Sequence, residues 1–255
     1  MDFTGDGGGA LNHWRERLQS DYLEHYSQIN ASIDGVSLTP KLSAELSLMF
    51  DHLLGQPMGQ TVLDLGTGTG AVTAWLSKKP GIVATGVDSS VTQIEQAKKL
   101  FPDCSFKKAD GLTYLLENPN QFDAIICNDV VEHLPTLEIT LDFLSAAQHA
   151  LKPGGWFFCR VPNAASLIGM HSLFADLTHY RLYSSNTLLQ SLNLTGFIDV
   201  RVEPVRAASL SGKLRLVVEH ALHSVLYAIC GRRFEKHFTR NICAIGFSSK
   251  RHATQ

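Results

Sequence analysis

Two rhythms of apolar and polar positions run along this chain. From Gln60 onward, short apolar runs of strand length recur at Thr61–Leu65, Ile82–Val87, Cys104–Lys107, Phe122–Cys127 and Trp156–Val161. Stretches with helical spacing lie between them, near Ala71–Lys78, Val91–Leu100 and Leu137–Leu151. Strands that are apolar throughout, alternating with helices, predict a parallel sheet covered on both faces. Lys152-Pro153-Gly154-Gly155 is expected to end the helix before it and turn the chain into the fifth strand. Ahead of Gln60 the spacing is helical. One helix is expected from about Leu11 to Asn30, rich in aromatics (Trp14, Tyr22, Tyr26). A second begins at Thr39-Pro40, with Thr39 as N-cap and Leu42, Leu46, Met49 and Leu53 at helical steps.

Past the fifth strand the alternation loosens. Residues 162–182 read as a loop, Ser184–Leu194 as a short helix and Phe197–Val202 as a strand. Ser209–Ile229 reads as a long amphipathic helix and Asn241–Ser248 as a last strand. Residues 1–59 are therefore expected to form an N-terminal helical cap, and 60–255 the main domain.

Composition narrows the classes. With 255 residues, 44% of them hydrophobic and 18% charged, the chain has enough apolar material for one α/β domain with additions. Lys+Arg number 22 against 24 Asp+Glu, so no basic surplus suggests nucleic acid as a partner. The five cysteines form no CxxC pair, which points to a reducing setting. The first ten residues are Gly-rich and acidic, unlike a secretory signal, and no uncharged apolar stretch approaches the roughly 18 residues of a spanning helix. A cytoplasmic protein is expected.

The candidate chemistry starts at Val62-Leu63-Asp64-Leu65-Gly66-Thr67-Gly68-Thr69-Gly70, an apolar strand running through a glycine loop into a helix. Glycines there let the backbone turn sharply and approach a ligand, and the helix offers unpaired N–H groups. The second strand ends at Asp88-Ser89, about where a ribose-binding acid belongs, the third at Asp110-Gly111 and the fourth at Asn128-Asp129. Four successive strand ends thus carry a carboxylate or amide, at the sheet edge where ligands bind. Helix capping is the alternative use for each.

The motifs DLGTGTG, GVDSS, KADG, NDVVEHL and LKPGGWFF resemble those of class I S-adenosylmethionine-dependent methyltransferases, over about Val62 to Val161. The third glycine comes two residues after the second, which differs from the dinucleotide fingerprint of nicotinamide oxidoreductases. The resemblance implies a Rossmann-like, doubly wound, seven-stranded and mostly parallel sheet, with a C-terminal amphipathic helix insertion. It also implies S-adenosyl-L-methionine as cofactor. Asp64 and the loop Gly66, Thr67, Gly68 and Gly70 would face its methionine part, Asp88 with Ser89 its ribose, Asp110 and Gly111 its adenine, and Asn128 its sulfonium end. The segments PNAASLIGM and DLTHYRLYSSNTLLQSLNLTGF further resemble bacterial methyltransferases of polysaccharide and glycolipid clusters, which implies a sugar or glycan acceptor.

Two places could hold the catalytic groups. Asp129, Glu132 and His133 are spaced to share one face if the segment is helical. His133 could be a general base, Glu132 and His133 could hold a divalent ion such as Mg²⁺, or the three could form a polar turn. The metal reading resembles the E-x-x-E-H pattern of some quinone and RNA-end methyltransferases, with Asp129 in the first Glu position. The second place is Asp176 to Arg181, within the expected loop 162–182, where His179 is the leading base and Asp176 its partner. Arg181 and Tyr180 are candidates for holding the acceptor, and His171 for lining the entrance. The function expected is O-methylation of a small acceptor, a sugar or glycan hydroxyl first. A quinone-like phenol, an amino group and a non-catalytic cofactor binder are the alternatives.

In the helix 209–230, Leu214, Val217, Val218, Ala221, Leu222, Val225 and Ile229 recur at three- and four-residue steps. Packing on the domain or on a second subunit, as in a homodimer, is the first reading. A peripheral contact with the inner face of a membrane, with Arg232, Arg233 and Lys236 toward anionic headgroups, is the other.

Overall fold

The computed structural model describes residues 37–55, 59–231 and 235–249, so the expected helix 11–30 lies outside the described residues. Within them, helix α1 (Pro40–Leu54) precedes β1 (Gln60–Leu65), α2 (Ala71–Ser77), β2 (Ile82–Asp88), α3 (Val91–Leu100) and β3 (Ser105–Lys108). Then come α4 (Gly111–Glu117), β4 (Phe122–Asn128), a 3₁₀ turn at Val131–His133, α5 (Leu137–Ala150) and β5 (Leu151–Pro162). The last elements are α6 (Leu167–Ala175), α7 (Ser185–Leu194), β6 (Ile198–Pro204), α8 (Leu210–Ile229) and β7 (Asn241–Phe247).

The seven strands form one sheet in the order β3-β2-β1-β4-β5-β7-β6. The first five are parallel, and β7 is antiparallel to both β5 and β6. The order reverses between β1 and β4, which puts the loops after those strands side by side at the carboxyl edge. Successive residues of the central strands serve opposite layers. Leu63, Ile125, Cys127, Phe157 and Cys159 pack with Phe143, Leu144 and Leu188, whereas Val62, Ala124, Ile126, Trp156 and Phe158 pack with Phe50, Trp75 and Leu46. Thr39 caps α1 by accepting a hydrogen bond from the Leu42 amide, and Phe50 meets Phe158 edge-on at 4.8 Å. The second layer is therefore built partly by α1.

Several expectations need correction. Helix α4 lies where no helix was expected, between β3 and β4. Strand β5 begins at Leu151, so Lys152-Pro153-Gly154-Gly155 lies within it, not in a turn before it. Residues 162–182 are not a bare loop, because α6 occupies Leu167–Ala175. Its sequence LIGMHSLFA is apolar on nearly every side, so no period announces it. What defines it is Ser166, whose hydroxyl accepts from the Gly169 amide. Helix α8 does exist, but most of its apolar residues are exposed rather than packed on the domain. His223 is its one buried residue, while Leu210, Leu214 and Ile229 are among its exposed ones.

Candidate active site

Beneath the glycine loop sits a buried polar strut. The Asp64 carboxylate accepts from Thr67 Oγ1 at 2.6 Å, Thr73 N at 3.0 Å and Thr73 Oγ1 at 2.7 Å. Burial pushes its carboxyl up to about 6, against the pull of those hydrogen bonds and with a smaller push from Asp88. Asp64 and Thr67 thus shape the loop from below, a different task from facing a ligand. Above them, the Gly66 and Thr67 amides donate to Val87 O, and the Gly68 amide donates to Asp88 Oδ2 at 2.9 Å. The other Asp88 oxygen accepts from Ser90 N at 2.9 Å, and burial raises the Asp88 carboxyl above its ordinary value.

The glycines are required by space as well as by angle. Gly66 has φ of 75°, and a Cβ there would overlap the Val130 side chain at the end of β4. Gly66→Ala should therefore combine a left-handed backbone strain of about 1–2 kcal/mol with overpacking of about 1–3 kcal/mol. Urea unfolding would read that loss of stability directly, and an unchanged midpoint would show that the loop yields.

Elsewhere along the edge, Asp110 caps α4 by accepting from Thr113 N and Thr113 Oγ1, both at 2.9 Å. Gly111 lies against Phe143, and Ser89 is exposed. Asn128 is half-buried at the end of β4, and its Oδ1 is buried without a hydrogen-bond partner among the described residues.

Asp129 does not join Glu132 and His133 on one face. It has φ of 53°, and its carboxylate takes a two-point ion pair from the Arg160 guanidinium. The next residues form a 3₁₀ turn, which swings Glu132 inward. Glu132 is 1% exposed, and neither of its carboxylate oxygens has a partner among the described residues. Burial, then the negative charge of Asp129, holds its carboxyl well above the usual range.

The segment after α6 closes over this turn. Tyr180 N donates to Glu132 O at 2.8 Å, while the Tyr180 side chain is half out in solvent. Asp176 Oδ1 accepts from Thr178 N at 2.8 Å and Thr178 Oγ1 at 2.7 Å, and His133 Nδ1 lies 2.9 Å from Thr178 Oγ1 and 3.1 Å from Thr178 O. A chain of contacts thus leads from Asp176 through Thr178 to His133. His179 Nδ1 is 2.8 Å from Ser172 O, which fixes the proton there and makes Nε2 the acceptor in the neutral ring. His179 Nε2 is 4.0 Å from Asp176 Oδ2, and the two imidazole rings are 4.6 Å apart. One donor atom each from Glu132, His133 and His179 lie within 4.8 Å of one another.

The two places singled out in the sequence therefore meet in one cluster. Burial first, and then His179, lowers the His133 pKa. Asp176 is lowered too, because the Thr178 hydrogen bonds outweigh the burial that would raise it. Arg181 Nε is buried without a partner among the described residues, and His171 lies on the exposed side of α6. Sequence reasoning missed Arg160 and Thr178. A lone charge inside the apolar run WFFCRVP was a signal for the first; the second lay inside the candidate stretch Asp176–Arg181, but spacing did not give its linking role.

The strand-end set fits an adenosyl cofactor. Asp88 presents a carboxylate beside the glycine loop, Asn128 carries an amide oxygen with no partner among the described residues, and polar groups end four adjacent strands. The profile of a methyltransferase domain family matches residues 14–202. The chain belongs to that family. Among curated relatives, phosphoethanolamine N-methyltransferase 2 of Caenorhabditis elegans is 26% identical over 197 residues, covering 72% of this chain and 44% of that protein. The mitochondrial ubiquinone biosynthesis O-methyltransferase of Rattus norvegicus is 32% identical over 125 residues, 46% of this chain and 35% of that one. The chain spans less than half the length of these curated relatives. In fold it is similar to a SAM-dependent methyltransferase from Archaeoglobus fulgidus, with TM-score 0.61, 20% identity, and 80% and 92% of the two chains covered. It is also similar to a possible histamine N-methyltransferase from Thermotoga maritima, with TM-score 0.60, 16% identity, and 93% and 99% covered. This methyltransferase domain accordingly has the class I fold, whose cofactor is S-adenosylmethionine. Among its described residues no helix is long and apolar enough to cross a membrane.

Proposed function

We propose that the chain methylates a hydroxyl of a small-molecule acceptor from S-adenosylmethionine, a phenol with an apolar body ahead of a sugar. The observation that carries this reading is the convergence of Glu132, His133 and His179 beside the end of β4. When bound, the cofactor supplies a methyl group already activated on a sulfonium sulfur. The glycine loop, Asp88 and Asn128 would hold it. The chain's remaining task is to bring a nucleophile into line and take its proton.

A hydroxyl needs that proton removed, and the cluster offers acceptors for it. Neutral His179, with its Nδ1 proton directed to Ser172 O, can take a proton at Nε2. His133 is kept neutral near pH 7 by its lowered pKa and is oriented by Thr178 and Asp176. Leu177, 81% exposed, adjoins Thr178 and His179, and this favours an acceptor with an apolar body over a bare sugar. The relationship to a ubiquinone biosynthesis O-methyltransferase supports the same choice, and the phosphoethanolamine relative keeps amines in the test.

A second reading follows from the donor set. Two imidazoles and one otherwise unpartnered carboxylate suit a divalent cation, and both Nδ1 atoms already have polar partners, as metal-ligating histidines usually do. A panel of phenols, sugars and amines with a methyl-labelled donor tests both readings, each run with and without EDTA. Label is expected on a phenolic oxygen. Transfer only to amines would overturn the hydroxyl reading, and activity lost in EDTA and restored by Mg²⁺ would establish the second.

A further inference from the structure

Helix α8 is turned inside out relative to an ordinary surface helix. The face toward the domain carries Glu219, His223 and Tyr227, positions spaced at four-residue steps. The His223 ring accepts from the Leu167 amide at 3.0 Å and stacks on Phe238 at 5.5 Å, and Tyr227 donates to Ala165 O at 3.3 Å. Its outer face carries Leu210, Leu214, Val217, Val218, Leu222 and Val225, all exposed. Helix α6, joined to it through the Leu167–His223 and Ala165–Tyr227 contacts, adds Phe174 at 81% exposure, and Leu177 follows directly. The six large apolar side chains of the outer row of α8, with Phe174 and Leu177 also exposed on and just after α6, exceed the scattered exposure normal on a monomer surface.

Charge says what covers them. Residues 205–240 contain seven Lys or Arg and two Glu, a surplus of five positive charges in a chain of formal net charge −2. Lys213 and Arg215 lie on the exposed part of α8 itself, and Arg215 is 3.6 Å from Glu219 at the edge of its inner face. A second copy packed on this face would bring two such basic sets together, in an interface type that is depleted of lysine at its core. An anionic lipid surface meets both features: it solvates the apolar row and attracts Lys213 and Arg215 on the same helix.

We propose that α6 and α8 form a docking face for an anionic lipid bilayer, from which the acceptor passes to the Glu132–His133–His179 cluster. The docking rests on α6 and α8 alone, and the passage of acceptor rests on the methyl-transfer reading. The segment Asp176–Tyr180, which holds the cluster together, continues directly from α6, so a bilayer against α6 lies beside the mouth of the site.

The test is flotation of the full chain with vesicles of phosphatidylcholine containing about one quarter phosphatidylglycerol, against pure phosphatidylcholine. Binding to the anionic vesicles is expected, at least about tenfold stronger than to the neutral ones and weakened by salt. Leu214→Asp with Val225→Asp should abolish flotation while leaving the melting temperature and S-adenosylhomocysteine affinity unchanged, since both side chains face outward. The proposal is overturned by no flotation of the unaltered chain, by flotation that persists in the double variant, or by a stable dimer in light scattering that the double variant dissolves. Calorimetry with S-adenosylhomocysteine separates the two readings: no cofactor binding alongside normal flotation would sink the methyl-transfer reading and leave the docking face standing.

Discussion

Glu132→Gln is expected to raise the melting temperature of EDTA-treated protein by several degrees and to cut methyl transfer about 10²-fold or more. The Glu132 carboxylate is buried with no hydrogen-bond partner for either oxygen among the described residues, and its pKa is raised, first by burial and then by Asp129. A raised folded-state pKa means stability that is present below the unfolded carboxylate value and lost as pH rises through the folded one. The unaltered protein should therefore lose stability from about pH 4.5 upward. Gln keeps the shape and carries no charge, so the gain should be small at pH 5 and grow toward pH 8. Gln is as unpaired there as Glu, so the gain comes only from removing the buried charge, which costs more than a neutral group, and each kcal/mol moves the melting point of a domain this size by about 2–4 °C. Thermal scans across that pH range, with methyl transfer measured in parallel, check both halves. A variant that melts lower at every pH would show that the carboxylate is satisfied in the native protein, and unchanged turnover would remove Glu132 from the chemistry. A stabilised but inactive variant is the signature of a residue kept for function at the expense of the fold.

The strand-end polar groups proposed to hold the cofactor stood out in the sequence because their spacing is local. A glycine loop, and an acid or amide at each strand end, are short segments whose spacing survives folding unchanged, and the structure places Gly66–Gly70, Asp88 and Asn128 at the ends of adjacent strands as expected. Even there the side chains divide their work in a way spacing does not reveal. Asp64 and Thr67 face down into the protein, and Asp110 is used in a cap. The catalytic half depends on long-range contacts. His133 and His179 lie in different connections, and bonds such as Tyr180–Glu132 and Thr178–His133 bring them together. Helix α6 was hidden for a related reason: its apolar residues face a surface outside the domain, so no periodicity of a core-facing helix was written into them. In α8 the periodicity predicted the helix, but spacing alone does not say what its apolar row meets, and in the structure most of that row is exposed.

His133→Ala and His179→Ala should each lower turnover by about 10²-fold, and the double variant should fall little further. Independent contributions would multiply to about 10⁴-fold, whereas groups acting as one unit lose their effect together. The geometry predicts the second outcome. The rings are 4.6 Å apart, His133 reaches Asp176 through Thr178, and His179 Nε2 faces the same Asp176 carboxylate. The pH profiles then identify the base. Burial, followed by the charge of His179, lowers the His133 pKa, so a limb set by His133 should fall below the usual histidine value of about 6.5. His179→Ala removes the second of these causes, so if His133 takes the proton the limb in that variant must move upward, toward 6.5. If His179 takes it, the limb disappears with His179 and persists in His133→Ala at reduced rate. Full additivity in the cycle would mean that the two histidines serve separate steps, and the cluster reading would fall with it.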